Sequence, residues 1–453
     1  MKVVIKLSEL RVKNRTAITR KAALIMKNFL SIMGLFCLLT QTQVMAQAPN
    51  RMENLGHQIF NDRALSEPRG TSCADCHVAK LGFAGNNGSK IGVARGSKPT
   101  SLGLRNAMSN AYTAFVPTFH FRVEGDDVDA VGAFFWDGRA DTAPTQAVLP
   151  FLNPLELNNK DAASVLQKIA SAPYAKQFKD EFGQQIFNNP TLAFQKVGVA
   201  IAAFEKTPPL QAFSSKYDQF IQGKAKLAPQ ELNGMNVFMD ANKGNCASCH
   251  TMNPNSANPK DSLFTDFAFY ATGVPRNKAI PRNANPSFFD LGLCGPERTR
   301  PALSSNVPAS VSIEDFCGRF RMVSLRNSAE KMALMHNGFF TNLRDVVSFY
   351  ATRNSDPKRW YGPQGVPNDL PVAYLRKLVN DRVPFNRPAS VGPALTSREI
   401  DDVVAFLKTL SDAPANQPPP PPTPPGPAAL NNPFARNQPP PPPPPPPPRG
   451  PVR

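Results

Sequence analysis

Two stretches decide the reading of this chain: Cys73-Ala74-Asp75-Cys76-His77 and Cys246-Ala247-Ser248-Cys249-His250. Each is a C-x-x-C-H. At that spacing two thiols can form thioethers to the vinyls of one porphyrin, and the adjacent His turns back to ligate its iron. A single copy could equally be a redox dithiol or half a zinc site. Two copies, in a chain with only 7 Cys and 5 His, read as two c-type haem sites. Cys73, Cys76, Cys246 and Cys249 are then the covalent anchors, and His77 and His250 the iron ligands.

Outward from these motifs, the two halves repeat one plan. Leu55, Ile59 and Phe60 fall at helical spacing before the first motif. A second helix is expected from Pro229 through Leu232, Met235 and Phe238-Met239, with Gly244 ending it just before the second motif. This helix, turn, C-x-x-C-H order reads as an internal duplication. Residues 161–182 and 191–206 read as two amphipathic helices, and 341–352 as a short one with Leu343, Val346, Val347 and Tyr350 on one face. A last helix is expected over 397–410, with Thr396 as N-cap and Glu399 completing a capping box. The stretch holding Glu124, Asp126, Asp127 and Asp129 reads as a solvated acidic turn; its spacing fits no calcium loop.

The expected fold is therefore mainly α: two cytochrome c-like haem domains in tandem. Residues 47–210 form the first and 211–412 the second, with Pro208-Pro209 near the boundary. A length of 453 residues accommodates two domains with real cores. Lys21 and Lys27 precede the apolar run Phe29–Leu39, and Val44-Met45-Ala46 resembles a small-residue cleavage site, so residues 1–46 read as a secretory signal peptide. The apolar run is too short for a comfortable membrane span. That segment carries eight Lys/Arg and one Glu, so its removal takes the net charge from +17 to +10. The remaining basic charge is dispersed, with no block suited to nucleic acid, and could steer an acidic redox partner. Four of the six remaining Cys are assigned to haem. Cys294 and Cys317 are left in an oxidising compartment, where a disulfide is expected. Residues 413–453 are rich in Pro and read as a disordered or polyproline II spacer.

Residues 50–410 resemble the bacterial dihaem cytochrome c peroxidases and the MauG-type dihaem enzymes. The motifs that carry the resemblance are Cys73–His77, Phe135-Trp136-Asp137-Gly138-Arg139 with Asn153-Pro154-Leu155-Glu156, Cys246–His250, Leu325-Arg326-Asn327 and Met335-His336-Asn337-Gly338. The resemblance implies that peroxide reacts at the haem of His77 and that the haem of His250 handles electrons. It implies catalytic roles for Gln146 and Glu156, ten and twenty residues after the family Trp, and an inter-haem relay role for Trp136. It also implies a calcium ion between the haems, with Asn106 as one ligand, and places His336 near the second haem without ligating it.

Two positions depart from the ordinary peroxidases. Those enzymes carry a His sixteen residues after the first haem motif, in an Ile-Gly-His context; here the stretch is Ile91-Gly92-Val93. Val cannot ligate iron, and the nearest spare, His120, reads as a loop residue, so the first haem is expected to be open. The peroxidases also place an axial Met fourteen residues after the His of the His-x-Gly motif. Here that position is Tyr350, as in MauG-type enzymes, and it is expected to ligate the second iron. A phenolate is a hard anionic ligand that favours ferric over ferrous iron, the reverse of Met sulfur.

The expected function is periplasmic, peroxide-dependent oxidation of a protein or cytochrome substrate of the MauG type. The alternatives are an ordinary cytochrome c peroxidase that takes electrons from a small cytochrome, and a dihaem electron carrier without catalysis. The expected partners are hydrogen peroxide and a redox protein. No nucleic acid, and no membrane span after signal cleavage, is expected.

Overall fold

The computed structural model describes residues 50–413. Residues 1–46, read as a signal peptide, and almost all of the proline-rich tail lie outside the described residues.

The described chain is dominated by helices that begin where local capping chemistry allows. The longer ones in the first half are Arg51–Asn61, Ala143–Leu152, Ala162–Ala170, Ala175–Phe182 and Pro190–Phe204. In the second half they are Pro229–Met239, Leu343–Thr352 and Ser397–Lys408. The Thr142 and Asn342 side chains accept from Thr145 N and Asp345 N at the starts of their helices. Thr396 and Glu399 form the expected capping box. The segment expected as one helix over 161–182 is two. Pro173 offers no N–H and clashes with the turn before it, so the chain breaks across 171–174.

The acidic stretch is also different from its reading. His120–Glu124 and Asp127–Val131 pair as an antiparallel hairpin turning at Gly125, φ +63°. Arg122 donates to Asp129 across the strands at 2.8 Å. Phe121 and Ala130 point inward and join Phe269, Leu293 and Phe316 of the second half. Alternation of apolar and acidic residues was the missed signal. The same hairpin begins with His120, which is exposed on a strand and not in a loop.

Each half has its own apolar core, one around Leu55, Ile59, Phe60, Val165, Phe178 and Val197, the other around Phe238, Phe264, Val347, Phe349, Val403 and Phe406. The internal duplication is visible in how these cores are built. The helix before each haem motif crosses the last helix of its half through a glycine. A Cβ on Gly56 would lie 1.9 Å from Ala200 O, and one on Gly234 would lie 1.9 Å from Asp402 O. One turn further on, Phe60 meets Phe204 at 5.1 Å and Phe238 meets Phe406 at 5.3 Å. Those same phenylalanines lie 6.2 Å from His77 and 6.5 Å from His250.

A second repeated unit is offset by 200 positions. Phe134 bridges Ala140 and Leu334 bridges Phe340. Phe135 and Met335 take φ +66° and +68°, and Gly138 and Gly338 take φ +68° and +62°. The helices that follow, Ala143–Leu152 and Leu343–Thr352, start and stop in register. Trp136 therefore corresponds to His336, and Pro150 to Tyr350. Arg326, from the Leu325-Arg326-Asn327 motif, is fully buried and forks onto Asp218 at 2.8 and 2.9 Å, which makes it a brace. A disulfide joins Cys294 to Cys317.

Candidate active site

The fold opens two large cavities, one at each C-x-x-C-H. The first is lined by Cys73, Cys76 and His77 together with Gln146, Pro150 and Glu156. The second is lined by Cys246, Cys249 and His250 together with Tyr350 and His336. All four motif thiols are free. His77 Nδ1 lies 3.2 Å from Phe83 O, and His250 Nδ1 lies 3.1 Å from Phe264 O. A carbonyl partner fixes Nδ1 as the protonated nitrogen and leaves Nε2 as the metal-binding one. Burial pushes both imidazoles down, His250 to about 4, which favours the neutral form that iron ligation requires. Free thiol pairs and an oriented neutral imidazole beside each cavity fit two covalent haems.

Trp136, Asn106 and Arg321 line both cavities. Trp136 Nε1 donates to Asn106 O at 2.8 Å, which fixes the indole in the wall. Its ring meets His336 edge-on at 6.4 Å, and His336 stacks on Phe320 at 3.6 Å. His336 Nε2 lies 3.5 Å from Asp369 Oδ2. Asn106 Nδ2 donates to Ala333 O at 2.9 Å and Met335 O at 3.3 Å. Among the described residues there is no group of three or more His, Cys, Asp and Glu side chains that could hold a metal ion.

Glu156 follows the Ala143–Leu152 helix, which carries Gln146. Asn153 Nδ2 donates to Glu156 Oε1 at 2.6 Å and aims the carboxyl. Burial raises the Glu156 pKa above the ordinary carboxylate range; Arg139 pulls it back only in part, and Glu297 adds to the rise. Arg139 and Arg105 are held by Asp137, Glu297 and Asp290 at 2.7–3.6 Å. Tyr350 borders the second cavity, and its hydroxyl has no hydrogen-bond partner among the described residues. Its ring packs on Phe385 at 4.9 Å.

Neither position 93 nor His120 borders that cavity. Val93 is fully buried with Leu104 and Ile280, and Gly92 lies against Gly338 of the second half. His120 Nδ1 donates to Thr118 O at 3.0 Å, at the hairpin edge. Four cavity residues carried no sequence signal of their own. Pro150, Glu205, Arg321 and Lys331 emerge only from the packing, although the 200-residue repeat in the sequence could have exposed Pro150 as the counterpart of Tyr350. Glu205 is 2 % exposed; Asn110 donates to its Oε1 at 2.8 Å, its Oε2 has no partner, and burial pushes it up to about 8.

A family profile described as di-haem cytochrome c peroxidase matches residues 50–226. The methylamine utilization protein MauG of Paracoccus denitrificans is 33% identical over 379 residues, covering 81% of this chain and 89% of that protein. Cytochrome c551 peroxidase of Pseudomonas aeruginosa is 26% identical over 334 residues, covering 72% and 78%. The crystal structure of the diheme peroxidase BthA from Burkholderia thailandensis superposes with a TM-score of 0.74 at 38% identity, covering 80% of this chain and 86% of that one. The chain belongs to the dihaem cytochrome c peroxidase family that includes the MauG proteins. It is a haem peroxidase-class oxidoreductase with two c-type haems.

Proposed function

We propose that this is a MauG-like enzyme whose first haem meets peroxide without prior reduction and whose second haem is ligated by Tyr350. The observation that carries the reading is the 200-residue repeat, which sets Pro150 where the second half has Tyr350. Pro has no ligating atom, and apart from His77 no His or Tyr side chain borders the first cavity. Met108 does border it, but its sulfur approaches Arg321 at 4.0 Å.

When bound, the first haem supplies an iron at which peroxide is reduced. The chain's own contribution is proton control. Glu156 accepts the proton of the inner peroxide oxygen and returns it to the outer one as the O–O bond breaks. A carboxyl held above its ordinary range is suited to both halves of that task. Asn153 fixes its orientation, and Gln146 hydrogen-bonds the peroxide. Trp136 relays oxidising equivalents across the wall between the cavities. A phenolate from Tyr350 would favour the oxidised state of an iron held in the second cavity, which would suit that site to hold oxidising equivalents for a protein or cytochrome substrate. A calcium ion between the haems would take Asn106 Oδ1 and backbone carbonyls as hard oxygen donors. Two domains divided near Pro208-Pro209 and a periplasmic location complete the proposal. Among the described residues no helix is long and apolar enough to cross a membrane.

Stopped-flow absorbance of the fully ferric protein mixed with one equivalent of peroxide tests the reading. An immediate Soret change is expected. A reaction that begins only after one electron is added would give the lead to the ordinary peroxidase cycle.

A further inference from the structure

The second cavity is charged on one side only. Its wall carries Arg321, Lys331 and Arg382 and not a single carboxylate. Arg382 forks onto Asp381 next to it. Arg321 and Lys331 have no ion pair among the described residues. Arg321 is 6% exposed, and only Phe135 O at 3.2 Å and Met108 Sδ at 4.0 Å face its side-chain nitrogens. Burial pushes Arg321 down to about 10 and Lys331 down to about 8, and no acid opposes either shift. A buried cation without a counter-charge is strongly unfavourable, so Arg321 implies an anion the protein itself does not supply; Lys331, half-buried on the same wall and likewise unpaired, adds a second positive charge there.

Arg321 has a second distinction. It also lines the first cavity, where Arg105 and Arg139 are already engaged by carboxylates and Arg95 is exposed to solvent. Its backbone N–H donates to Trp136 O at 2.8 Å, so it is fixed to the wall between the two sites. A guanidinium presents five donors in a planar fork and can hold carboxylates on two sides; an ammonium is a point charge. Each c-type haem brings two propionate carboxylates and no other anionic side group.

We propose that Arg321 pairs with a propionate of each haem and thereby ties the redox equilibria of both irons to one buried charge, while Lys331 pairs with a propionate of the second haem alone. This rests on the presence of two haems and not on the peroxide reading. A cation near an iron favours the ferrous state, the less positive of the two. Loss of the Arg321 charge should therefore lower both midpoint potentials, and loss of the Lys331 charge only one.

Spectroelectrochemical titration of the holoprotein tests this with Arg321→Gln, Arg321→Lys and Lys331→Met. In R321Q both haems should shift, with an about tenfold higher ferric-to-ferrous ratio at a fixed applied potential, which is 59 mV for a one-electron couple. R321K should keep both potentials near wild type, and K331M should move the second haem alone. A shift of one haem or neither in R321Q, or an R321K as low as R321Q, would overturn the assignment. If R321Q yields no folded holoprotein, resonance Raman of R321K decides. The propionate bending modes of both haems should shift as a forked contact becomes a single one, and an unchanged mode in either haem would overturn the bridge.

Discussion

At the scale of single residues, the proposed peroxide chemistry turns on Glu156. It must be ionised to accept a proton from peroxide, and burial holds its pKa above the usual carboxylate range. The peroxide reaction should therefore be slow at acidic pH and rise through a window above that range. Glu156→Gln keeps the shape and the Asn153 contact but cannot move a proton. Rapid-mixing rates should fall by about 10²–10⁴ and lose that pH dependence. A variant at the full wild-type rate would remove Glu156 from the mechanism. Tyr350 is the matching test in the second cavity. Tyr350→Phe preserves the packing against Phe385 and removes the oxygen. The ferric second haem should change its EPR spectrum and rise in midpoint potential, while the first stays as it was. An unaltered spectrum would exclude ligation. Both residues stand out in the sequence because linked motifs fix their register. Taken alone, Tyr350 lies on an apolar helix face and resembles any core tyrosine.

At the scale of elements, the haem-bearing halves depend on two close helix crossings. Gly56 and Gly234 let the Arg51–Asn61 and Pro229–Met239 helices approach the backbone of their partners. Gly56→Ala and Gly234→Ala each force a methyl to 1.9 Å from a carbonyl oxygen, so the helices must separate. Each should destabilise the holoprotein by about 1–3 kcal/mol or more, read as a lower thermal midpoint in circular dichroism. Comparable losses are expected because the crossings are equivalent; a silent G234A would show that the second half tolerates a looser contact. The sequence indicates these helices through their apolar spacing and caps. It is silent on which helix each glycine meets, since Ala200 and Asp402 are more than 140 positions away. The hairpin at His120–Val131 was misread for a related reason. Its acidic face is solvated, but its apolar face is buried only because the second half covers it.

At the scale of the whole molecule, the informative feature is the wall shared by the two cavities. Trp136 and Arg321 stand in it, tied together through Trp136 O. Trp136→Phe retains a packed ring and removes the easily oxidised indole. The first reaction with peroxide should keep its rate, while spread of the oxidising equivalents to the second haem should slow several-fold in time-resolved Soret spectra. An unchanged second phase would mean that transfer does not pass through the indole.

The sequence by itself determined the family register, the two c-type haems that go with it and the two C-x-x-C-H motifs proposed as their anchors. Covalent attachment and motif spacing are local properties, written within a few residues of one another. It also determined that the chain is mainly helical, because apolar periodicity and capping residues are local too. Only the tertiary structure decided that Val93 is buried away from both cavities, and that Arg321 and Lys331 are cations without carboxylates. Those facts depend on which distant surfaces meet. Burial and charge compensation are set by that meeting, and no stretch of the chain carries them alone.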